Sequence, residues 1–236
     1  MTPGDTPPAG RSYAIGDIHG RLDLLERAIA AIRRDVDEYG PAALTVTLGD
    51  YVDRGPQSRG VIERLAVNPF PTPYVALKGN HEYLLETFLA DPETGSHWCE
   101  QGGLETLASY GIVVREPDET DFAEIRKRFM AALPARHLKF LRGLTLSVSH
   151  GKYFFCHAGV RPGVPLEQQS AEDLLWIRRT FLYSTADFGK IVVHGHTPLP
   201  APDVRPNQIG IDTGAFTTDR LTCVALEEGP PRFLDV

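Results

Sequence analysis

Apolar residues along the first third of the chain follow two alternating rhythms. Residues 12–16, 44–48 and 74–77 are short apolar-rich runs bounded by turn-forming or acidic residues, which predicts strands. Between the first two, Leu22, Leu25, Ile29, Ile32 and Val36 recur at helical spacing and predict a helix over 22–38. Residues 61–66 read as a second helix, ended by Pro69, Pro71 and Pro73, and residues 82–89 as a third.

The middle breaks this alternation. Residues 91–111 are rich in glycine and polar side chains, with Trp98, Gly102 and Gly103 among them. Residues 116–141 are amphipathic, with Pro117 placed to start one helix and Pro134 to separate two. An inserted helical cap over about 91–141 is the expectation, and structural filler is the plainer alternative. The final third is strand-rich. Residues 144–149 and 153–156 flank His150-Gly151, a hairpin turn, and strands over 190–193, 208–211, 221–226 and 232–234 follow. These are too many strands for one doubly wound sheet, but two sheets packed face to face with helices outside would hold them. The expected fold is therefore α/β: a two-sheet β-sandwich flanked by helices, one domain over 11–236. Residues 1–10, rich in proline, glycine and threonine, carry neither a basic nor an apolar signal region and read as a disordered tail.

Composition narrows the class of partner. A chain of 236 residues with 42% hydrophobic and 23% charged content can build an ordinary enzyme-sized core. Its 24 basic and 31 acidic residues give a net charge of −7, which argues against a nucleic acid or an anionic membrane surface as general partner. No apolar stretch approaches bilayer length. Cys99, Cys156 and Cys223 fit neither a disulfide framework nor a zinc site, and read as buried small hydrophobes in a reducing, cytoplasmic compartment.

Six polar clusters carry the candidate chemistry. They are Gly16-Asp17-Ile18-His19-Gly20, Gly49-Asp50-Tyr51-Val52-Asp53-Arg54-Gly55, Gly79-Asn80-His81-Glu82, Cys156-His157-Ala158-Gly159, Trp176-Ile177-Arg178-Arg179 and His194-Gly195-His196-Thr197. Most follow an apolar, strand-like run, and catalytic groups in α/β proteins gather at the carboxyl ends of strands. Aspartate, histidine and asparagine suit divalent metals such as Mn²⁺, Fe²⁺, Zn²⁺ or Mg²⁺. Two such ions can grip the attacking and leaving oxygens of an in-line displacement. Arginines beside them bind phosphate bidentately. Singly, each cluster has a bland reading: Asp50 and Asp53 as turn acids, Asn80 as a turn residue, a lone His-x-His as satisfied core. Their joint occurrence in one order favours a metal and phosphate site.

At these residues the chain resembles the metallophosphoesterases of the phosphoprotein phosphatase, or calcineurin-like, type. The pattern Gly-Asp-x-His-Gly, Gly-Asp-x-Val-Asp-Arg-Gly, Gly-Asn-His-Glu and two later histidine motifs is present over residues 16–197, and residues 174–178 and 194–198 look like the bacterial branch. The resemblance implies an α/β/β/α fold and two divalent ions, Mn²⁺ first, with Fe, Zn or Mg as alternatives. Asp17, His19 and Asp50 would hold one ion, and Asp50, Asn80, His157 and His196 the other, so Asp50 bridges. His81 would protonate the leaving oxygen, oriented by Asp53. Arg54 and Arg178 would bind phosphoryl oxygens with Asn80 in reach, Arg179 being the alternative to Arg178. His194 is left open between ligand, supporting residue and neither. Phe216 stands where eukaryotic members place a tyrosine. Hydroxide generated at the metals would attack phosphorus directly, with no phosphoenzyme. The implied activity is that of a serine/threonine protein phosphatase, acting also on phosphotyrosine, with phosphorylated proteins or peptides as partners. Symmetrical diadenosine tetraphosphate hydrolases share most of these motifs and are the alternative. A non-catalytic regulatory module is a third reading, whose signature would be lost ligands, and none is lost. Substrate choice is expected to fall to residues 91–141, with residues 98–110 lining the pocket.

Overall fold

The structure, a computed structural model, describes residues 10–40, 43–114 and 120–236. The expected disordered tail falls mostly on residues 1–9, and the helix start at Pro117 on residues 115–119, so both lie outside the described residues.

The first half runs β1 (Arg11–Ile15), α1 (Leu22–Tyr39), β2 (Ala43–Thr47), α2 (Ser58–Leu65), β3 (Tyr74–Ala76) and α3 (Asn80–Ala90). A helical stretch then takes α4 (Gly95–Trp98), a π-turn over Cys99–Gly103, α5 (Leu104–Ser109), α6 (Phe122–Ala132) and α7 (Ala135–Arg142). The remainder is β4 (Ser147–His150), β5 (Tyr153–Cys156), α8 (Ala171–Trp176), α9 (Arg179–Leu182), β6 (Ile191–His194), β7 (Asp203–Val204), β8 (Gln208–Gly210), α10 (Ala215–Thr218), β9 (Cys223–Leu226) and β10 (Arg232–Leu234).

Among the described residues the strands form two five-stranded sheets, ordered β10-β9-β1-β2-β3 and β4-β5-β6-β8-β7. β1, β2 and β3 run parallel, as do β5, β6 and β8, so the carboxyl ends of each trio share one edge. The sheets face each other across a core of Ala14, Val46, Phe155, Val193, Ile209 and Val224. Strand alternation assigns the opposite faces. Tyr13 and Ile15 of β1 turn toward Leu25, Ile29 and Ile32 of α1, whereas Phe154 and Cys156 of β5 turn toward Leu174 and Phe181. The result is the expected α/β/β/α layering.

Several element bounds differ from the pattern-based expectation. α3 begins at Asn80, two residues earlier than hydrophobic spacing suggests, because Gly79 caps it and the Glu82 carboxylate accepts the Gly79 N–H at 2.9 Å. The hairpin turn is Gly151-Lys152, with His150 still paired to Tyr153. Pro134 does separate two helices. Trp98, Leu107, Tyr110, Phe129 and Leu141, all from residues 91–141, join the core under α1 and α2. Trp98 and Leu107 have no exposed surface and pack inward, whereas Glu100, Glu105 and Ala108 of the same stretch are exposed.

Candidate metal centre

Strand ends bring the predicted residues to one edge. Asp17 and His19 follow β1, Asp50 and Asp53 follow β2, Asn80 and His81 open α3 after β3, His157 follows β5 and His196 follows β6. Asp17, His19, Asp50, Asn80, His81, His157 and His196 are each at most 5% exposed. The turns carrying them are strained. His19 (φ 43°), Asp50 (52°), Asp53 (71°), Arg54 (66°) and His196 (65°) all occupy the left-handed region, at roughly 1–2 kcal/mol each for an L-residue. Such outliers persist where the surroundings over-determine them, and they concentrate at functional sites.

Two compact groups of donor atoms result, each within 4.8 Å: His19, Asp50 and His81, and Asp50, His157 and His196. Asp50 belongs to both. In the second group His157 Nδ1 donates to the Leu48 carbonyl at 2.9 Å, so the neutral ring leaves Nε2 as a lone pair. That lone pair meets Asn80 Oδ1 at 2.8 Å and Asp50 Oδ1 at 3.4 Å. His196 Nδ1 approaches the same Asn80 oxygen at 2.8 Å. Burial lowers the pKa of His157, and takes His19 down to about 3 and His196 to about 2, so all three rings favour the neutral, ligating form. Lone pairs aimed at one another across such distances suit a cation between them.

The carboxylates indicate the same. Burial, then Asp212, then Asp50 raise the pKa of Asp17 well above its ordinary range. Burial, with Asp50 again adding to it, pushes Asp212 up to about 6. Buried like charges in one place are relieved by a divalent cation. His196 Nε2 is buried without a hydrogen-bond partner among the described residues. The donors are oxygen and imidazole nitrogen, which fits Mn²⁺, Fe²⁺, Zn²⁺ or Mg²⁺. Cys156, beside His157, is buried with its thiol pushed upward in pKa, which disfavours a thiolate ligand.

The first group differs in membership from the expected ligand set. It contains His81, expected as an acid, and not Asp17. The Asp17 carboxylate instead accepts the His196 backbone N–H, at 3.0 and 3.3 Å. His19 Nδ1 donates to the Val52 carbonyl at 2.9 Å, which aims Nε2 at Asp50 Oδ2, 3.5 Å away.

His81 and Asp53 pair as expected, with Nδ1 to Oδ2 at 2.8 Å. Burial lowers the His81 pKa, but Asp50's charge and the Asp53 hydrogen bond raise it further, so it ends above the ordinary imidazole value. Trp98 Nε1 and Thr106 Oγ1 donate to the same Asp53 carboxylate, at 3.0 and 2.6 Å.

Arg54 donates to His19 Nε2 at 3.2 Å and lies over the Phe216 ring at 5.0 Å from its centroid. Arg178, at the junction of α8 and α9, reaches Thr197 Oγ1 at 3.4 Å, and its charge acts on His157, His196 and Asp212. Arg179 starts α9 and is exposed. His194 packs edge-on against Phe181 at 5.0 Å and stands outside both ligand groups. Exposed Trp176 meets His196 edge-on at 6.2 Å and exposed Tyr83 at 6.4 Å.

The motifs assign no role to Glu82, Asp212, Trp98 or Thr106. Glu82, with no exposed surface, accepts the backbone N–H groups of Asp50, Tyr51 and Val52 at 2.8, 2.7 and 3.2 Å, besides that of Gly79. Burial and Asp50's charge push its pKa up to about 8, against these donors, which favour the carboxylate. A Cβ on Gly79 would lie 2.1 Å from Asp50 Oδ1, so this approach needs glycine. The signal for Glu82 was present as the last letter of its motif; Trp98, Thr106 and Asp212 had none in local spacing.

Comparison with known proteins places this geometry. The chain is 26% identical over 220 residues to serine/threonine-protein phosphatase 2 of Escherichia coli (strain K12), covering 89% of this chain and 90% of that protein. It is 27% identical over 238 residues to the asymmetrical bis(5'-nucleosyl)-tetraphosphatase PrpE of Anoxybacillus flavithermus, covering 91% and 89%. The crystal structure of the cold-active protein-tyrosine phosphatase of a psychrophilic Shewanella species shares the fold, with a TM-score of 0.58, 14% identity and 96% and 80% of the two chains covered. The sequence profile of the calcineurin-like phosphoesterases matches residues 10–227. Since that match takes in β1 to β9 and every segment bearing a donor atom, the chain belongs to the calcineurin-like phosphoesterase family.

Proposed function

We propose that the protein is a phosphomonoesterase acting on phosphoserine and phosphothreonine in proteins or peptides, and secondarily on phosphotyrosine. The observation that supports this best is the buried His81–Asp53 pair beside Asp50. An alkoxide leaving from serine or threonine is a strong base and needs a proton as its bond to phosphorus breaks. His81 commits Nδ1 to Asp53 at 2.8 Å and turns Nε2 toward Asp50 Oδ2, 3.9 Å away, on the donor-rich side. A phosphate leaving from an anhydride is a weaker base and needs that proton less.

The residues proposed to hold two divalent ions, Mn²⁺ foremost, are Asp17, His19 and Asp50 for one and Asp50, Asn80, His157 and His196 for the other. When bound, such ions supply Lewis acidity and an activated water. Arg54 and Arg178 would bind the phosphoryl oxygens, Arg54 being braced by Phe216 and His19. No helix among the described residues is long and apolar enough to cross a membrane. The three cysteines are free and buried, in keeping with a cytoplasmic setting.

One observation favours a second reading, a dinucleoside tetraphosphatase. Exposed Trp176 beside His196, with exposed Tyr83 edge-on to it, offers a planar base a stacking surface, and relatives of that name match at similar identity. Turnover of a phosphoserine peptide and of diadenosine tetraphosphate with Mn²⁺ separates the two. Greater catalytic efficiency on the peptide supports the first; greater efficiency on the dinucleotide overturns it. The products then tell a symmetrical cut, giving only ADP, from an asymmetrical one, giving ATP and AMP.

A further inference from the structure

We propose that residues 98–106 form a positioning clamp on the Asp53–Arg54 turn, with Trp98 and Thr106 as positioning residues for the proton donor His81. The inference rests on the phosphomonoesterase reading, in which His81 protonates the leaving oxygen.

Asp53 has no exposed surface, and its carboxylate is filled by three donors. Oδ2 accepts from His81 Nδ1 at 2.8 Å and Trp98 Nε1 at 3.0 Å; Oδ1 accepts from Thr106 Oγ1 at 2.6 Å. The same Thr106 oxygen accepts the Asp53 backbone N–H at 2.8 Å, so one hydroxyl fixes both ends of the residue. With both oxygens held, the carboxylate cannot swing, and the imidazole it binds keeps one tautomer and one orientation.

The clamp continues onto the next residue. Arg54 N–H donates to the Gly102 carbonyl at 3.1 Å. Gly102 has φ 107°, and a Cβ there would lie 2.7 Å from Arg54 N and 2.8 Å from Arg54 Cγ. Asp53 and Arg54 are consecutive non-glycine residues in the left-handed region, at φ 71° and 66°, a conformation that persists only when neighbours impose it. Trp98 supplies the anchorage. Its indole stacks on Phe88 of α3 at 4.9 Å, which ties Asp53 to the helix that carries His81. The clamp therefore acts on the reaction through Asp53 and Arg54.

A structural contribution alone would lower rates for all substrates together. A positioning role predicts a dependence on the leaving group. Phenyl phosphate needs protonation of its phenoxide, whereas para-nitrophenyl phosphate departs as a weak base. With Mn²⁺, Thr106→Val and Trp98→Phe are expected to lower kcat/KM for phenyl phosphate ~10-fold or more, and for para-nitrophenyl phosphate by about 3-fold or less. Thr106→Ser is expected to restore the phenyl phosphate rate. In metal-free protein, the low-field proton signal of His81 Nδ1, identified by its loss in His81→Asn, is expected to shift in Thr106→Val and return in Thr106→Ser. Equal losses on both esters, or an unmoved proton signal, overturn the clamp while leaving the phosphomonoesterase reading intact. If Thr106→Val lacks a cooperative thermal transition, Trp98→Phe decides by the same criteria. Wild-type protein inert toward both esters with Mn²⁺, Fe²⁺, Zn²⁺ and Mg²⁺ overturns the parent reading and the clamp with it.

Discussion

At the residue scale, chemistry and strain coincide. His19, Asp50, Asp53, Arg54 and His196 hold left-handed backbone, and each contributes a donor or charge to one buried cluster. His81 should be separable from the ligands by function. His81→Asn is expected to lower turnover of a phosphoserine peptide by about 10²–10⁴, the usual worth of a positioned general acid, while elemental analysis finds the metal content of wild type. Loss of metal together with activity would make His81 a ligand instead. Sequence made most of this cluster legible, because ligand-capable residues are few in type and recur beside glycines after apolar runs. It could not reveal Thr106 or Trp98, which meet Asp53 across 53 and 45 positions of chain and look like ordinary core and helix residues.

At the element scale, α3 carries much of the site. Its first turn holds Asn80 and His81, the His81 N–H donates to Asp50 Oδ1 at 3.1 Å, and Glu82 ties its start to the Asp50–Val52 loop. Hydrophobic spacing placed this helix two residues late, since a capped, polar first turn has no apolar periodicity to read. Far from the site, Asp35 of α1 joins three elements: it accepts from Tyr13 Oη of β1 at 2.6 Å and from Arg232 of β10 at 3.0 Å. Burial would raise its pKa, but Arg232 and Tyr13 hold it below the ordinary value. A lowered folded-state pKa adds stability above the unfolded value, near pH ~3.9, and loses it as pH falls through the folded one. Thermal unfolding at a series of pH values should therefore show wild type losing its margin over Asp35→Asn below pH ~4. A constant margin across that range would mean that the ion pair is not what Asp35 contributes.

At the scale of the whole molecule, two sheets hold the two halves of the proposed ligand set. Asp17, His19, Asp50 and Asn80 follow strands of one sheet, and His157 and His196 follow strands of the other. The inter-sheet core must keep these halves in register. Phe155 is fully buried between the sheets, and Phe155→Ala is expected to cost about 3–5 kcal/mol of stability in chemical denaturation. A loss under about 1 kcal/mol would mean that the sheets close over the cavity. The two-sheet architecture was legible as an excess of strands. Residues 91–141 supply apolar side chains to the same core as α1 and α2, a long-range packing that local spacing does not show. The proposed two-ion site depends on Asp50 joining both halves. Titration of metal-free protein with Mn²⁺ by calorimetry, wild type against Asp50→Asn, tests this most directly. Two ions per wild-type chain and loss of tight binding of both in Asp50→Asn are expected; a single ion in wild type, or two retained in the variant, would contradict the bridging role of Asp50.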